Sequence, residues 1–129
     1  MDQMDQATLL RLAEEARERA YAPYSGFAVG AALLCESGEV FTGCNIENAS
    51  FTPTCCAERV AIFSAVSEGH RRFSALAVVG GVNPCSPCGV CRQVLSEFCS
   101  EELPVILKDG EGRAVTVTLG ELLPHRFRL

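Results

Sequence analysis

The sequence predicts an α/β fold, a three-layer α/β/α sandwich in which helices cover both faces of a five-stranded mixed sheet. Apolar runs of strand length alternate along the chain with longer segments of helical pattern, a succession typical of α/β proteins. Two of the links between strands are so short that only antiparallel pairing fits them, which makes the sheet mixed. A chain of 129 residues suffices for one core, and we expect residues 1–129 to form a single domain.

The first third of the chain contains a helix and a β-hairpin. In residues 5–20, leucine and alanine recur at helical spacing with charged residues mostly opposite, which indicates an amphipathic helix. Ala22-Pro23 ends this helix, because a residue before proline disfavours the helical conformation. Residues 27–35 indicate a buried strand and residues 39–44 its partner, with Ser37-Gly38 as the turn between them.

A loop, a helix and a strand follow. Residues 45–54 have no apolar period and are rich in Asn, Ser, Thr and Pro, so we expect a loop there. Residues 56–68 have the pattern of a buried helix that ends at Gly69. Residues 75–82 form a continuous apolar run of strand length. Because a helix leads into this strand, we expect it to have a parallel partner in the sheet.

The last third of the chain completes the sheet. Residues 83–87 predict a loop whose proline suits the first turn of a helix over residues 88–99. Residues 104–108 and 114–118 are strands, and the short link between them allows only an antiparallel pair. A short helix over residues 119–123 precedes the tail.

Composition excludes several classes of protein. No apolar run approaches the length of a membrane span, and the acidic residues 1–6 do not resemble a secretory signal. We therefore expect the eight cysteines to be reduced in the cytoplasm, where they bind metals or act in catalysis more often than they pair. A net charge of −5 opposes binding to nucleic acids and favours a small-molecule substrate.

Two short segments carry the chemistry, each where a loop enters a helix. Cys88 and Cys91 form a C-x-x-C opened by proline, the spacing that brings two thiolates within reach of one metal ion. A third cysteine, Cys56, comes from the first segment, two residues ahead of Glu58. Three thiolates leave the fourth tetrahedral position of Zn²⁺ open, which is typical of a catalytic site. Glu58 would then be a proton carrier beside the water in that position.

Three other interpretations of the cysteines stay open from the residues alone. Cys85 with Cys88 and Cys91 could open an iron–sulfur motif, although no fourth Cys-Pro follows at the right spacing. A structural zinc would need a fourth ligand, for which only His70 and His125 offer imidazole. A zinc-stabilised or redox-active binding module would explain the C-x-x-C but not the neighbouring glutamate.

The two segments resemble the zinc-dependent nucleoside deaminases, in the form whose first metal ligand is cysteine. Cys56-Ala57-Glu58 followed by Pro87-Cys88-x-x-Cys91 carries this resemblance. Residues 24–32, 43–50 and 122–127 are further similar to the small homotetrameric cytidine deaminases, so the resemblance spans most of the chain.

The resemblance implies hydrolytic deamination of cytidine and 2′-deoxycytidine to uridine and 2′-deoxyuridine, with release of ammonia, in pyrimidine salvage. One Zn²⁺ per subunit would be held by Cys56, rather than Cys55, together with Cys88 and Cys91. Zinc hydroxide would attack C4 of the cytosine ring while Glu58 carries protons to N3 and to the leaving amine. The nearest rival, a deaminase of a cytosine-containing antibiotic, does not account for the block at residues 45–48.

Family resemblance also assigns the substrate contacts. Phe27 would face the pyrimidine, although it could equally be a core residue. Asn45 and Glu47 would hold the ribose hydroxyls, and the backbone around Ala57 would read the base. Phe127 would reach the substrate site of a neighbouring subunit in a homotetramer with shared active sites.

Three thiolates and Zn²⁺ carry a net negative charge, which should raise the pKa of a bound water above the value of about 7 reached in a three-histidine site. Two helix N-termini and Arg59 are expected to draw charge off the sulfurs. By resemblance, Gln93 joins Arg59 beside the metal ligands. Phe51 stands where family members often have tyrosine, so any hydrogen bond of that hydroxyl is lost.

Overall fold

The computed structural model describes residues 5–129, so most of the N-terminal segment expected not to be a signal lies outside the described residues. No helix within residues 5–129 combines the length and the apolar character that crossing a membrane requires. The elements, in chain order, are α1 (Gln6–Arg17), β1 (Gly30–Cys35), β2 (Val40–Cys44), α2 (Ala57–Ser67), β3 (Phe73–Val79), α3 (Gly89–Phe98), β4 (Pro104–Lys108), β5 (Ala114–Thr118) and α4 (Leu119–Leu122).

The five strands form one mixed sheet in the order β2-β1-β3-β4-β5. Strand β1 is antiparallel to both β2 and β3, and β4 is antiparallel to β5. Strand β3 is parallel to β4, which the chain reaches through α3. The expected parallel partner of β3 is therefore β4, whereas β2, which runs in the same direction, is separated from β3 by β1.

Helices cover both faces of this sheet, as the sequence predicts. Alternate residues of the central strands point to opposite faces, so each face has its own apolar core. Against one face α1 packs alone, and against the other pack α2, α3 and α4. The first core joins Leu9, Leu10 and Ala13 to Ala32, Leu34, Ala77 and Ile106. The second joins Ile62, Leu95 and Leu119 to Ala31, Leu33, Leu76 and Val105.

Helix α1 begins one residue later and ends three residues earlier than predicted. The carboxylate of Asp5 accepts the N–H of Thr8 at 2.7 Å, a bond that starts the helix at the next residue. After Arg17 the α-helical bonding gives way to turns closed between residues three apart. The N–H of Arg19 bonds the carbonyl of Ala16, and the N–H of Ala20 bonds the carbonyl of Arg17.

The predicted bounds of two strands, β1 and β3, are wrong by two or more residues. Strand β1 starts at Gly30 rather than residue 27, because the side chain of Asn45 takes the backbone hydrogen bonds of Phe27 and Val29. Strand β3 covers Phe73–Val79 rather than residues 75–82, because two glycines follow Val79 and the chain then turns to the surface, where Val82 is 59% exposed.

Gly43, on β2, is the point at which α2 lies directly on the sheet. A Cβ at Gly43 would come within 2.4 Å of the Ala57 carbonyl oxygen and 2.6 Å of the Ala61 nitrogen. Only glycine permits the helix backbone to approach so closely. The first turn of α2 is therefore fixed in height above the strand, together with the residues that it carries.

Candidate active site

Two helix N-termini converge on the site. Cys56 is the N-cap of α2 and Cys88 the N-cap of α3, both with extended backbone and neither with a side-chain bond to its own helix. The first N–H groups of the two helices are thus left without a capping side chain, and each helix end contributes partial positive charge. Such a pair of ends stabilises negative charge placed between them.

The thiols of Cys56, Cys88 and Cys91 form a compact cluster. Sγ of Cys88 lies 3.8 Å from Sγ of Cys56 and 3.5 Å from Sγ of Cys91, and all three sulfurs lie within 4.8 Å of one another. Two sulfurs at the usual Zn–S distance on a tetrahedral zinc ion would be about 3.8 Å apart. The cluster therefore fits one zinc ion with three thiolate ligands, and it contains the three cysteines that the sequence singles out.

The other interpretations of the cysteines find no support among the described residues. Cys85 stands outside the thiol cluster, and Cys55 pairs through its backbone with Ile46 on the adjoining loop. His70 Nε2 lies 3.4 Å from a carboxylate oxygen of Glu39, and its ring packs on a phenylalanine. Neither imidazole belongs to the thiol cluster in residues 5–129, so a four-ligand structural zinc is not assembled there.

Arg59 supplies the positive charge that the thiol cluster needs. Its Nη2 donates to Sγ of Cys56 at 3.3 Å and to the carbonyl of Thr54 at 3.4 Å. A hydrogen bond from Cys91, together with that from Arg59, lowers the pKa of Cys56 to about 5. The hydrogen bond to Cys56, together with burial, raises the pKa of Cys91. A thiolate stabilised in this way is the form that binds zinc.

Glu58 is a buried acid in the first turn of α2. The residue is only 4% exposed, and this burial raises the pKa of the carboxyl to about 7. The negative charge of Cys56 acts in the same direction. A carboxyl with a pKa near the working pH can both accept and donate a proton, which is the property of a general acid–base group.

A cavity of about 330 Å³ opens beside the thiols, within the size range of small-molecule sites. It brings together the acid, two of the three thiols and most of the residues that the family resemblance assigns to substrate. Its lining includes Phe27, Asn45, Glu47, Cys56, Ala57, Glu58 and Cys88.

The polar side chains of the cavity wall are already bonded to the backbone. Asn45 Nδ2 donates to the Phe27 carbonyl at 2.8 Å, and its Oδ1 accepts the N–H of Val29 at 2.8 Å. Glu47 accepts the N–H groups of Tyr24 and Ser25 as well as the Ser25 hydroxyl, and the bonds from Ser25 lower the pKa of Glu47. Both side chains retain hydrogen-bonding capacity toward the cavity. The sequence does not indicate this support role.

The ring of Phe27 lies against two glycines at the end of β3. A Cβ at Gly80 would come within 2.4 Å of Cys85 Sγ and 3.3 Å of the Phe27 ring, and one at Gly81 within 3.2 Å of that ring. The ring is therefore both packed, as a core residue would be, and exposed to the cavity, so the two expectations for Phe27 are compatible.

Gln93 and Phe127 contact each other. Nε2 of Gln93 donates to the Phe127 carbonyl at 3.2 Å, and the structure records no hydrogen bond from Gln93 to a thiol. The Phe127 side chain is 67% exposed and is not among the residues that line the cavity beside the thiols. The expected roles of these two residues toward metal and substrate stay predictions.

The chain is similar in sequence to known cytidine deaminases. The family model for the cytidine and deoxycytidylate deaminase zinc-binding region matches residues 3–107. A cytidine deaminase of Sporosarcina psychrophila is 52% identical over 125 residues, covering 96% of this chain and 92% of that protein. One from Halalkalibacterium halodurans is 50% identical, covering 96% and 95%.

The crystal structure of a cytidine deaminase from Burkholderia pseudomallei superposes with a TM-score of 0.91 at 49% identity, covering 96% of this chain and 100% of that chain. The matched sequence, the shared fold and the three-thiol cluster together show that the chain belongs to the zinc-binding cytidine and deoxycytidylate deaminase family.

Proposed function

We propose that this protein, as a single domain over residues 1–129, converts cytidine and 2′-deoxycytidine to uridine and 2′-deoxyuridine by hydrolysis and releases ammonia. The observation that carries this proposal is the buried carboxyl of Glu58 on the wall of the cavity that Cys56 and Cys88 also line. The relatives named cytidine deaminase give the substrate class. Phe27, Asn45, Glu47 and Ala57 line the same cavity, whereas Phe127 does not.

Cys56, Cys88 and Cys91 would hold the zinc ion, which when bound would supply an activated water. Glu58 accepts a proton as this water adds to C4 of the cytosine ring, and it passes that proton to N3. As the C4–N bond breaks, the same carboxyl takes the remaining proton of the hydroxyl added at C4 and delivers it to the amine, so that C4 becomes a carbonyl and the amine leaves as ammonia. A single carboxyl can serve both transfers because its pKa lies near neutrality.

The cavity wall suits a nucleoside. The ring of Phe27 offers an apolar face for the base, and the uncapped N–H groups at the start of α2 offer donors near Ala57. Asn45 and Glu47 would hold the ribose hydroxyls with the hydrogen-bonding capacity that their backbone contacts leave free. The bonds of Asn45 also keep Phe27 and Val29 in place, and those of Glu47 hold Tyr24 and Ser25, so each side chain serves both purposes.

Assembly completes this proposal: the enzyme is a homotetramer with shared active sites, and Phe127 of one subunit packs on the base bound by the next. Support comes from the exposure of this ring outside its own cavity and from the Gln93 bond that holds its backbone. Phe51 is a second exposed aromatic, 74% accessible, on a loop beside the cavity. Its backbone has a positive φ of 64°, and the ring offers no hydroxyl to a partner.

The cellular setting of this proposal is the cytoplasm, in nucleoside salvage. All eight cysteines are free thiols, the state that a reducing compartment maintains. No nucleic acid or membrane partner is required, and the net charge of −5 disfavours both nucleic acid and anionic lipid.

The proposal is tested by mixing zinc-loaded protein with cytidine and with 2′-deoxycytidine while ultraviolet absorbance and free ammonia are followed. We expect an absorbance change with both nucleosides and one ammonia per nucleoside consumed. Free cytosine serves as the control that lacks the sugar. Turnover of a cytosine-containing antibiotic but not of cytidine would favour the rival deaminase. Zinc-loaded protein that turns over none of them would make the chain a binding module.

A further inference from the structure

The guanidinium of Arg92 is bonded at all three of its nitrogens. Nε donates to the carbonyl of Pro87 at 2.7 Å, Nη1 to the carbonyl of Leu122 at 2.6 Å and Nη2 to the hydroxyl of Ser86 at 3.1 Å. Arg92 follows directly after Cys91 in α3. No motif in the sequence draws attention to this residue.

On one side, Arg92 holds the segment that delivers a metal ligand. Its backbone N–H bonds the carbonyl of Cys88 at 2.9 Å, while Nε bonds the preceding carbonyl, that of Pro87. The Pro87 side chain is fully buried, and Ser86 lines the cavity. The backbone bond is the regular α-helical one, which any residue would make here. The guanidinium adds its bonds to the Pro87 carbonyl and the Ser86 hydroxyl, and so it holds the two residues directly before Cys88.

On the other side, Arg92 holds the start of the C-terminal tail, which we define as residues 123–129. Leu122 is the last residue of α4, and the tail begins at the next residue. Gln93, the neighbour of Arg92, bonds the tail further along at the Phe127 carbonyl. The segment before Cys88 and the end of α4, where the tail starts, thus meet at one side chain, although thirty residues of sequence separate Arg92 from Leu122.

We propose that Arg92 is a positioning residue that sets the zinc affinity of the site by fixing Cys88 against Cys91 and bracing that segment on the end of α4. Three acceptors in different directions match the planar fork of a guanidinium, which a lysine ammonium cannot reproduce. The inference rests on the zinc site of the proposed function, but it does not depend on which substrate is deaminated.

Arg126 provides a matched control for this test. Its Nη1 donates to the carbonyls of Cys99 and Ser96, at 2.9 and 3.4 Å, and so it too ties the tail to α3. These bonds lie at the C-terminal end of α3, away from the metal ligands. Replacing Arg126 removes a tail contact of the same chemical type and leaves the segment before Cys88 untouched.

The experiment measures zinc affinity by equilibrium competition with a chromogenic chelator, well below the melting temperature of each variant. Removal of a residue that supports metal ligands typically weakens metal binding about 10–100-fold, and we expect a loss in this range for R92A. R92K should fall between R92A and wild type, and R126A should stay within roughly twofold of wild type on the same reasoning.

Two results would overturn the inference: an R92A affinity within twofold of wild type, or an equal loss in R126A, which would point to general loosening of the tail. If R92A does not fold, R92K is measured in its place, and a zinc affinity of R92K equal to that of R126A would reject the proposal. Because the readout uses zinc alone, a wild-type protein that binds zinc but leaves cytidine unchanged would refute the proposed function without affecting this result.

Discussion

Nη2 of Arg59 lies 3.3 Å from Sγ of Cys56, so the one guanidinium that contacts the thiol cluster contacts the ligand nearest Glu58 in sequence. The same Nη2 also bonds the carbonyl of Thr54, so the sulfur and this carbonyl together hold the guanidinium, while Nε is buried without a hydrogen-bond partner among the described atoms. The guanidinium therefore places a positive charge against the negative charge of the three thiolates, on the side of the site where Cys56 lies.

Replacing Arg59 by alanine should slow deamination about 10–100-fold while zinc stays bound, because the thiolates would then push more electron density onto the metal. Metal content and kcat are measured on the same sample. A C88H change in the R59A chain removes one negative charge and should restore part of the rate. A double variant no faster than the product of the two single losses would contradict the charge-balance explanation.

Glu58→Gln should retain zinc and lose most of the activity, since the amide keeps the shape of the side chain but carries no proton. Each general acid–base step contributes typically about 10²–10⁴-fold, and Glu58 serves in two, so we expect a loss at the upper end or beyond. Steady-state kinetics with cytidine check this. Activity within tenfold of wild type would remove Glu58 from the mechanism.

The raised pKa of Glu58 predicts a pH-dependent stability once zinc has been stripped with a chelator under reducing conditions. Burial favours the protonated acid, so its stabilising effect is complete below the ordinary pKa of 4.5 and is lost as pH rises through about 7. The Glu58→Gln protein should therefore exceed wild type in unfolding free energy by about 3 kcal/mol at pH 8 but only about 1 kcal/mol at pH 5.

Urea denaturation of both proteins at the two pH values measures this difference. Other titrating groups, Cys56 among them, are present in both chains and largely cancel in the comparison. An advantage of the Gln variant that is the same at pH 5 and pH 8 would show that the Glu58 pKa is not raised.

Cys56, Cys88 and Cys91 should each be required for zinc, because two thiolates leave two positions of the ion to water. Metal analysis of the three single alanine variants should show loss of zinc in each. Cys55→Ala and Cys85→Ala are the matched controls, one adjacent in sequence and one lining the same cavity, and both should keep their zinc. Full zinc in Cys56→Ala with loss in Cys55→Ala would shift the ligand assignment by one residue.

Shared active sites predict complementation between two impaired proteins. Glu58→Gln and Phe127→Ala chains, mixed in equal amounts, unfolded and reassembled with zinc, should regain activity. In random hybrids, roughly a quarter of the sites would pair an intact Glu58 with an intact Phe127 of a neighbour. Hybrid formation is checked by mass spectrometry with one chain isotopically labelled. Hybrids without regained activity would place Phe127 within its own subunit.

The order and type of the elements were predictable because each one carries its own apolar period. The residues at which the elements begin and end were less predictable, because they depend on contacts with residues distant in the sequence. Residues 27–29 are as apolar as a strand, yet the amide of Asn45 takes their hydrogen bonds, and nothing within residues 27–35 reveals it. Likewise β3 begins at Phe73 because that residue pairs with Cys35 of β1.

That Cys56, Cys88 and Cys91 would come together, with Glu58 nearby, was predictable from short-range spacing and family resemblance. The contacts of Arg92 were not, because one of them is to a carbonyl at Leu122 that only the folded chain brings near. For the same reason the bonds from Glu47 to the backbone of Tyr24 and Ser25 could not be foreseen. Residues that react are recognisable by type, whereas residues that support them are recognisable only by what they touch.

Gly43 is a residue that supports the site although it has no side chain, because it lets the backbone of α2 lie directly on β2. Any replacement would place a carbon 2.4 Å from the Ala57 carbonyl and displace the turn that bears Cys56 and Glu58. In a scan of all single substitutions, Gly43 should therefore be as intolerant as a zinc ligand. Intolerance at Gly43 would reflect the close approach of two backbones rather than a role in the reaction. A substitution scan therefore identifies reacting residues only when the chemistry of each side chain is considered as well.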